Sequence, residues 1–212
     1  MNTNATAQNA ASEIKVWDPL VSIFHWSLVA SFTVAYLTGE DESRLHELTG
    51  YVVIGLVLFR IVWGFVGTKY ARFSDFVYRP ATVMGYAKDL LRGKTQRYLG
   101  HNPLGGIMVL ALLASLLATG ITGYLLQEAE EGSMALTMPA SMTNTVNFVS
   151  NTFADADDNG HEDGNEVLKE IHELFANFAL LLVIAHVVGV IAGGLMHREN
   201  LVRAMITGRK QL

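Results

Sequence analysis

Cysteine is absent from the 212-residue chain, proline occurs only four times, and charged residues make up only 17% of the sequence. Without cysteine the chain can form no disulfide, no iron–sulfur cluster and no covalent c-type haem attachment. Half of the residues are hydrophobic and the mean hydropathy is positive, which is unusual for a soluble domain of this size. The composition therefore indicates a membrane protein.

Four apolar stretches are long enough to cross a bilayer, whose core takes roughly 20 apolar residues per helix. They are residues 20–37, 48–65, 104–126 and 174–196, and Arg60 is the one charged residue inside them. No convincing cleavage site follows the first stretch, so we expect it to be retained and not removed as a signal peptide. We predict an all-α integral membrane four-helix bundle, a single domain over residues 1–212, with an acidic outer loop at 127–170.

Charges divide unevenly between the two sides of this predicted bundle. Four spans place both termini on one side of the membrane. Thirteen of the 15 basic residues fall on that side when Arg60 is included, whereas 15 of the 20 acidic residues fall on the other side. The positive-inside rule then places both termini in the cytoplasm. We expect a multi-pass protein of a bacterial inner membrane, with no nucleic-acid partner. The acidic outer face is either ordinary solvated surface or an attraction for a basic periplasmic partner.

Four of the seven histidines fall at membrane depth, where an ionisable side chain usually marks function. His186 follows His172 by 14 residues, which brings both to one helix face while advancing about 21 Å. His25 then matches His186 at the inner level, and His46 matches His172 at the outer level. We predict two haems b, each held between two imidazoles for one-electron transfer. A haem-free divalent-metal transporter and plain helix packing are the rival interpretations.

Three further residues lie near the inner level. Arg60 follows His46 by 14 residues, and it either binds a haem propionate or snorkels to the cytoplasmic interface. His101 and Asn102 precede the third stretch and are candidates to line a quinone pocket. Alternatively, Asn102 is the N-cap and Pro103 the first residue of that helix. A short helix at residues 83–91 is expected along the inner membrane surface.

The acidic outer loop contains a run with the ligand spacing of a calcium-binding EF-hand loop. Glu162 stands where an apolar residue is usual, and no clear paired hand is present. The run is therefore either a Ca²⁺ site or a solvated acidic loop. The candidate calcium ligands are Asp155, Asp157, Asn159, His161, Asp163 and Glu166.

Several short motifs are distributed over residues 16–210. They lie at residues 17–19, 25–26, 60–64, 72–76, 100–105, 172–173 and 197–201. In these motifs the chain resembles the bacterial cytochrome b561 group and the b-type cytochrome subunits of nickel–iron hydrogenases. The resemblance implies that His25, His46, His172 and His186 are haem ligands. It also implies electron exchange with quinone or quinol and with a partner such as a periplasmic c-type cytochrome or a hydrogenase subunit.

Several properties stay open at this point. Haem potentials depend on contacts that a sequence does not show, so the direction of electron flow is not fixed. Quinol oxidoreductase activity and homodimer formation are both open, and a superoxide:quinone oxidoreductase is an alternative enzymatic function.

Overall fold

A computed structural model describes residues 13–39, 43–94, 96–130 and 162–211 of the chain. A 3₁₀ turn at Lys69–Ala71 lies between two of the helices. In chain order the other elements are β1 (Glu13–Lys15), α1 (Pro19–Leu37), α2 (Arg44–Val66), α3 (Phe73–Phe76), α4 (Pro80–Leu91), α5 (Pro103–Glu130), α6 (Glu162–His197), α7 (Leu201–Thr207) and β2 (Arg209–Gln211).

Four of these helices, α1, α2, α5 and α6, are long and apolar enough to cross a membrane. They coincide with the four predicted spans, so the predicted helical membrane fold is confirmed. Large apolar side chains such as Leu181, Ile184 and Leu195 are exposed along α6. A helix surrounded by lipid needs no polar outer face, which accounts for this exposure.

Polar side chains cap the starts of the long helices, where the first backbone N–H groups lack helical partners. The Asp18 carboxylate accepts a hydrogen bond from the N–H of Val21 at 2.9 Å, before α1. Asn102 Oδ1 likewise accepts from the N–H of Gly105 at 2.7 Å, and Pro103 is the first residue of α5. The predicted N-cap role of Asn102 is therefore confirmed.

Two helix boundaries differ from the sequence prediction. Helix α6 begins at Glu162, well before residue 174, and α5 continues to Glu130. Both extensions fall in the predicted outer loop at 127–170, so parts of that segment are helical. The reason is that hydropathy reports only the length that lipid can surround, whereas helical hydrogen bonds continue through polar residues in water. Helix α4 confirms the predicted helix at 83–91 and begins earlier, at Pro80.

The long helices pack unequally. Helix α5 packs along α6, α1 along α2, and α2 against α5. The core of these contacts contains Val53, Val57, Leu113, Leu116 and Ala179. By contrast, within the described ranges the backbones of α1 and α2 approach that of α6 at few points or none. Side chains from α1 and α2 that reach towards α6 therefore extend across a space between helices.

The two ends of the described chain pair with each other. Strands β1 and β2 are antiparallel, with Glu13 opposite Gln211. The N–H groups of Val16 and Trp17 both donate to the carbonyl of Gly208, at 2.8 and 3.1 Å. Gly208 has φ +73°, and a Cβ there would lie 2.6 Å from the Trp17 carbonyl oxygen. Both ends of the described chain thus lie at the same end of the bundle, called the inner end below.

Candidate functional site

The inner histidine pair joins α1 to α6. The ring centres of His25 and His186 are 6.4 Å apart, with 52° between their planes. The indole of Trp26 contacts His25 edge-on at 5.1 Å. Within the described part of the chain, the buried Nδ1 of His25 has no hydrogen-bond partner. The two imidazoles therefore face each other across the space between their helices.

The outer pair joins α2 to α6 and is more firmly held. The ring centres of His46 and His172 are 6.1 Å apart, with planes at 84°. His46 Nδ1 lies 2.8 Å from the carbonyl oxygen of Ala35, and His172 Nδ1 lies 3.0 Å from that of Thr119. Because a carbonyl oxygen only accepts, each Nδ1 carries the proton and each Nε2 keeps a lone pair. Histidines that bind metals commonly have this arrangement.

Both pairs have the separation that one metal ion between two imidazoles requires. A ligating nitrogen lies about 2 Å from a metal and roughly 1 Å from its own ring centre, so two opposed rings have centres about 6 Å apart. The measured separations are 6.4 and 6.1 Å. No cluster of three or more His, Asp or Glu side chains suited to a metal occurs within the described ranges. A porphyrin supplies the remaining donors itself, so the pairs fit haem b.

Two glycines leave open space beside the histidines. Gly50 lies one turn after His46, and Gly189 lies about one turn after His186. A Cβ added at either glycine would meet no atom within 4 Å. A flat macrocycle can therefore approach the backbone of α2 and α6 at these positions.

Gly123 on α5 contacts a candidate ligand, which the sequence did not indicate. A Cβ added there would lie 2.9 Å from Cε1 and 3.2 Å from Nδ1 of His172. The hydroxyl of Thr122 is also 3.2 Å from the same Nδ1. No local motif in the sequence reports this contact between α5 and α6.

Arg60 is buried among aromatic rings near the inner end of α2. Only 4% of the residue is exposed. Its Nη2 donates to the carbonyl of Ala71 at 3.0 Å, and its guanidinium carbon is 5.5 Å from the ring centre of Phe73 and 5.8 Å from that of Phe76. The interpretation that Arg60 snorkels to the interface is therefore wrong, because the loop after α2 covers the side chain.

His101 packs against the same Phe76 ring as Arg60. Its ring centre is 4.7 Å from that of Trp17 and 4.7 Å from that of Phe76. Burial lowers the pKa of His101 to about 3, and the nearby charges of Arg60 and Lys210 add to the effect. The imidazole is therefore neutral at physiological pH.

Asp18 connects the start of α1 to the end of α2. Its carboxylate accepts from the Thr68 hydroxyl at 2.5 Å and from the Trp63 indole N–H at 3.3 Å, besides capping α1 through Val21. Burial raises the pKa of Asp18, but these hydrogen bonds together outweigh it and hold the pKa below its ordinary value. Asp18 therefore fixes the inner end of α1, which carries His25.

Two predicted sites stay predictions. His101 and Asn102 are adjacent where α5 begins, and their contact with a quinone stays a prediction. Among the calcium candidates, Asp163 and Glu166 fall within α6. Four others, Asp155, Asp157, Asn159 and His161, lie outside the described residues.

Comparison with known proteins gives a consistent result. The family model described as prokaryotic cytochrome b561 matches residues 16–208. A protein named "Probable Ni/Fe-hydrogenase B-type cytochrome subunit" from Rhodobacter capsulatus is 22% identical over an alignment of 230 residues. The alignment, gaps included, covers 94% of this chain and 82% of that protein. A protein of the same name from Rhizobium leguminosarum bv. viciae is 23% identical over 227 residues, with coverages of 93% and 88%. No solved structure matches significantly. The family match includes all four candidate ligands.

Proposed function

The chain belongs to the prokaryotic cytochrome b561 family and is a membrane b-type cytochrome of electron transfer, and on this premise we propose that it holds two haems b. The inner ligands are His25 and His186, and the outer ligands are His46 and His172. The observation that carries the proposal is the separation of the paired ring centres, 6.4 and 6.1 Å. A haem iron supplies reversible one-electron chemistry when it is bound.

The chain's own groups set the conditions for that chemistry. The carbonyls of Ala35 and Thr119 fix the tautomer and the orientation of the outer imidazoles. A positive charge at Arg60 lies towards the inner end. The exposed carboxylates of Glu47 and Glu173 directly follow the outer histidines. A positive charge favours the reduced state of a nearby redox centre, and a negative charge disfavours it. The two haems should therefore differ in potential.

The proposed role is electron exchange between the membrane quinone pool and a periplasmic partner, with both termini in the cytoplasm. The two curated relatives are named as hydrogenase subunits, which supports a hydrogenase subunit as the partner, and a c-type cytochrome is the alternative. Acidic residues concentrate on the predicted outer side, and such a surface accelerates association with a basic protein. The rate of electron exchange with a basic c-type cytochrome should then fall steeply as salt is raised.

Haem counting and a redox titration of the purified full chain in lipid nanodiscs test this function. We expect two haems per chain that exchange electrons both with added quinol or quinone and with the partner. One haem per chain would contradict the di-haem proposal, and a protein without reducible haem absorption would support a divalent-metal transporter instead. Haem that is reduced by superoxide and reoxidised by quinone, without electron exchange with a periplasmic protein, would support the superoxide:quinone oxidoreductase.

A further inference from the structure

Two buried nitrogen atoms near the inner pair have no hydrogen-bond partner in the part of the chain that the structure describes. They are Nη1 of Arg60 and Nδ1 of His101. The two side chains meet at Phe76, whose ring centre is 5.8 Å from the guanidinium carbon and 4.7 Å from the imidazole centre. His101 also contacts Trp17, which lies just before α1 and is bonded to Gly208 at the inner end.

These atoms need an acceptor, and the neighbouring carboxylate does not provide it. Burying a charged guanidinium with an unsatisfied N–H is costly unless an anion accepts the hydrogen bond. Asp18 is the acid whose charge acts on Arg60. Its oxygens are already bonded to Val21, Thr68 and Trp63. A bound anion would supply the missing acceptor.

We propose that Arg60 and His101 together bind one propionate carboxylate of the inner haem, so that His101 is a haem-binding residue and not a quinone-binding one. This inference rests on the proposed function and deepens it. A carboxylate accepts from both side chains and neutralises the guanidinium, for which a charge-assisted hydrogen bond is especially strong. A quinone carbonyl is neutral and leaves the buried charge without an anion.

The position of Arg60 along α2 agrees with this ligand. It lies 14 residues after His46, so it is about 21 Å further along the helix. That is the same spacing as between His172 and His186 on α6. Arg60 is therefore level with the inner histidines, and the loop containing Ala71 and Phe76 closes the pocket from the inner end.

The test uses Arg60→Gln, Arg60→Lys and His101→Gln in the full haem-loaded protein. The readouts are the haem-to-protein ratio, the midpoint potential of each haem, and the haem-carboxylate bands of the infrared redox difference spectrum. We expect Arg60→Gln to lower the potential of the inner haem and to shift its carboxylate bands, because a positive charge is lost. Arg60→Lys should recover part of the potential, and His101→Gln should shift the same bands less.

A matched control is Arg79→Gln, which removes an exposed arginine from the same inner segment and should change none of these readouts. The inference is overturned if the wild type has two haems while Arg60→Gln and His101→Gln leave the inner potential and the carboxylate bands unchanged. It is also overturned if His101→Gln alters only the KM for quinol, since that result assigns His101 to quinone. If the di-haem proposal itself is wrong, the wild type lacks the second haem, so the haem count distinguishes that failure from failure of this inference. If Arg60→Gln does not fold, Arg60→Lys and His101→Gln carry the test.

Discussion

Gly123→Ala should selectively weaken the outer haem, because a Cβ at this position of α5 would clash with the His172 ring. The added Cβ would lie 2.9 Å from Cε1 of His172, whereas non-bonded carbon atoms prefer about 3.5–4.0 Å. The ring must then move by about 0.6 Å or more. Its hydrogen bond of 3.0 Å to the Thr119 carbonyl opposes that movement.

The size of the effect follows from these contacts. Adding a methyl group to a well-packed site typically costs about 1–3 kcal/mol. If that cost falls on the geometry of His172, the affinity for the outer haem drops roughly 5- to 150-fold, since about 1.4 kcal/mol corresponds to a factor of ten. Loss of groups that support a metal ligand usually has an effect of similar size, about 10- to 100-fold.

The assay is the haem-to-protein ratio after extensive dilution, followed by a redox titration of the haem that stays bound. The ratio should fall from two towards one, and the remaining haem should keep the potential of the inner one. Gly55→Ala is the control, because it adds the same methyl group within α2 where no atom lies within 4 Å. A Gly123→Ala protein that keeps both haems at wild-type affinity and potential would refute the reasoning.

Three further predictions concern other parts of the molecule. Gly189→Leu fills the open space beside His186, so a haem count should show loss of the inner haem alone. Retention of both haems would show that no macrocycle occupies this space. Asp18→Ala removes an N-cap and should lower the unfolding free energy by about 0.5–2 kcal/mol near pH 7. The pKa of Asp18 is held below its ordinary value of 3.8. Its carboxylate therefore stabilises the fold above that value, and this contribution is lost as the pH falls through the lowered pKa. Melting curves of wild type and variant should therefore converge in acid, and a constant difference from pH 7 to pH 2 would contradict this. A reporter that is active only in the cytoplasm should work when fused after Leu212, and activity of a periplasm-only reporter there would reverse the proposed orientation.

The sequence predicted the features that depend on local periodicity. Apolar length located all four membrane helices, and the spacing of 14 residues between His172 and His186 placed them on one face of α6. The depths of His25 and His46 then followed from the alternating direction of the spans. The structure brings together the same two pairs, with ring centres 6.4 and 6.1 Å apart.

The features that the sequence did not show depend on contacts between distant segments. Gly123 supports His172 only because of how α5 lies against α6. The burial of Arg60 depends on the loop that carries Ala71 and Phe76, and no hydropathy pattern reports how such a loop folds back. The early start of α6 at Glu162 was missed because its first turns are polar.

The most direct test of the account is a haem count on two double variants of the purified protein. His25→Ala/His186→Ala removes both ligands from one level, so it should retain one haem with the outer potential. His25→Ala/His46→Ala removes one ligand from each level, so it should retain none. The pairing would be contradicted if the first variant lost both haems, or if the second kept one haem with two intact axial histidines.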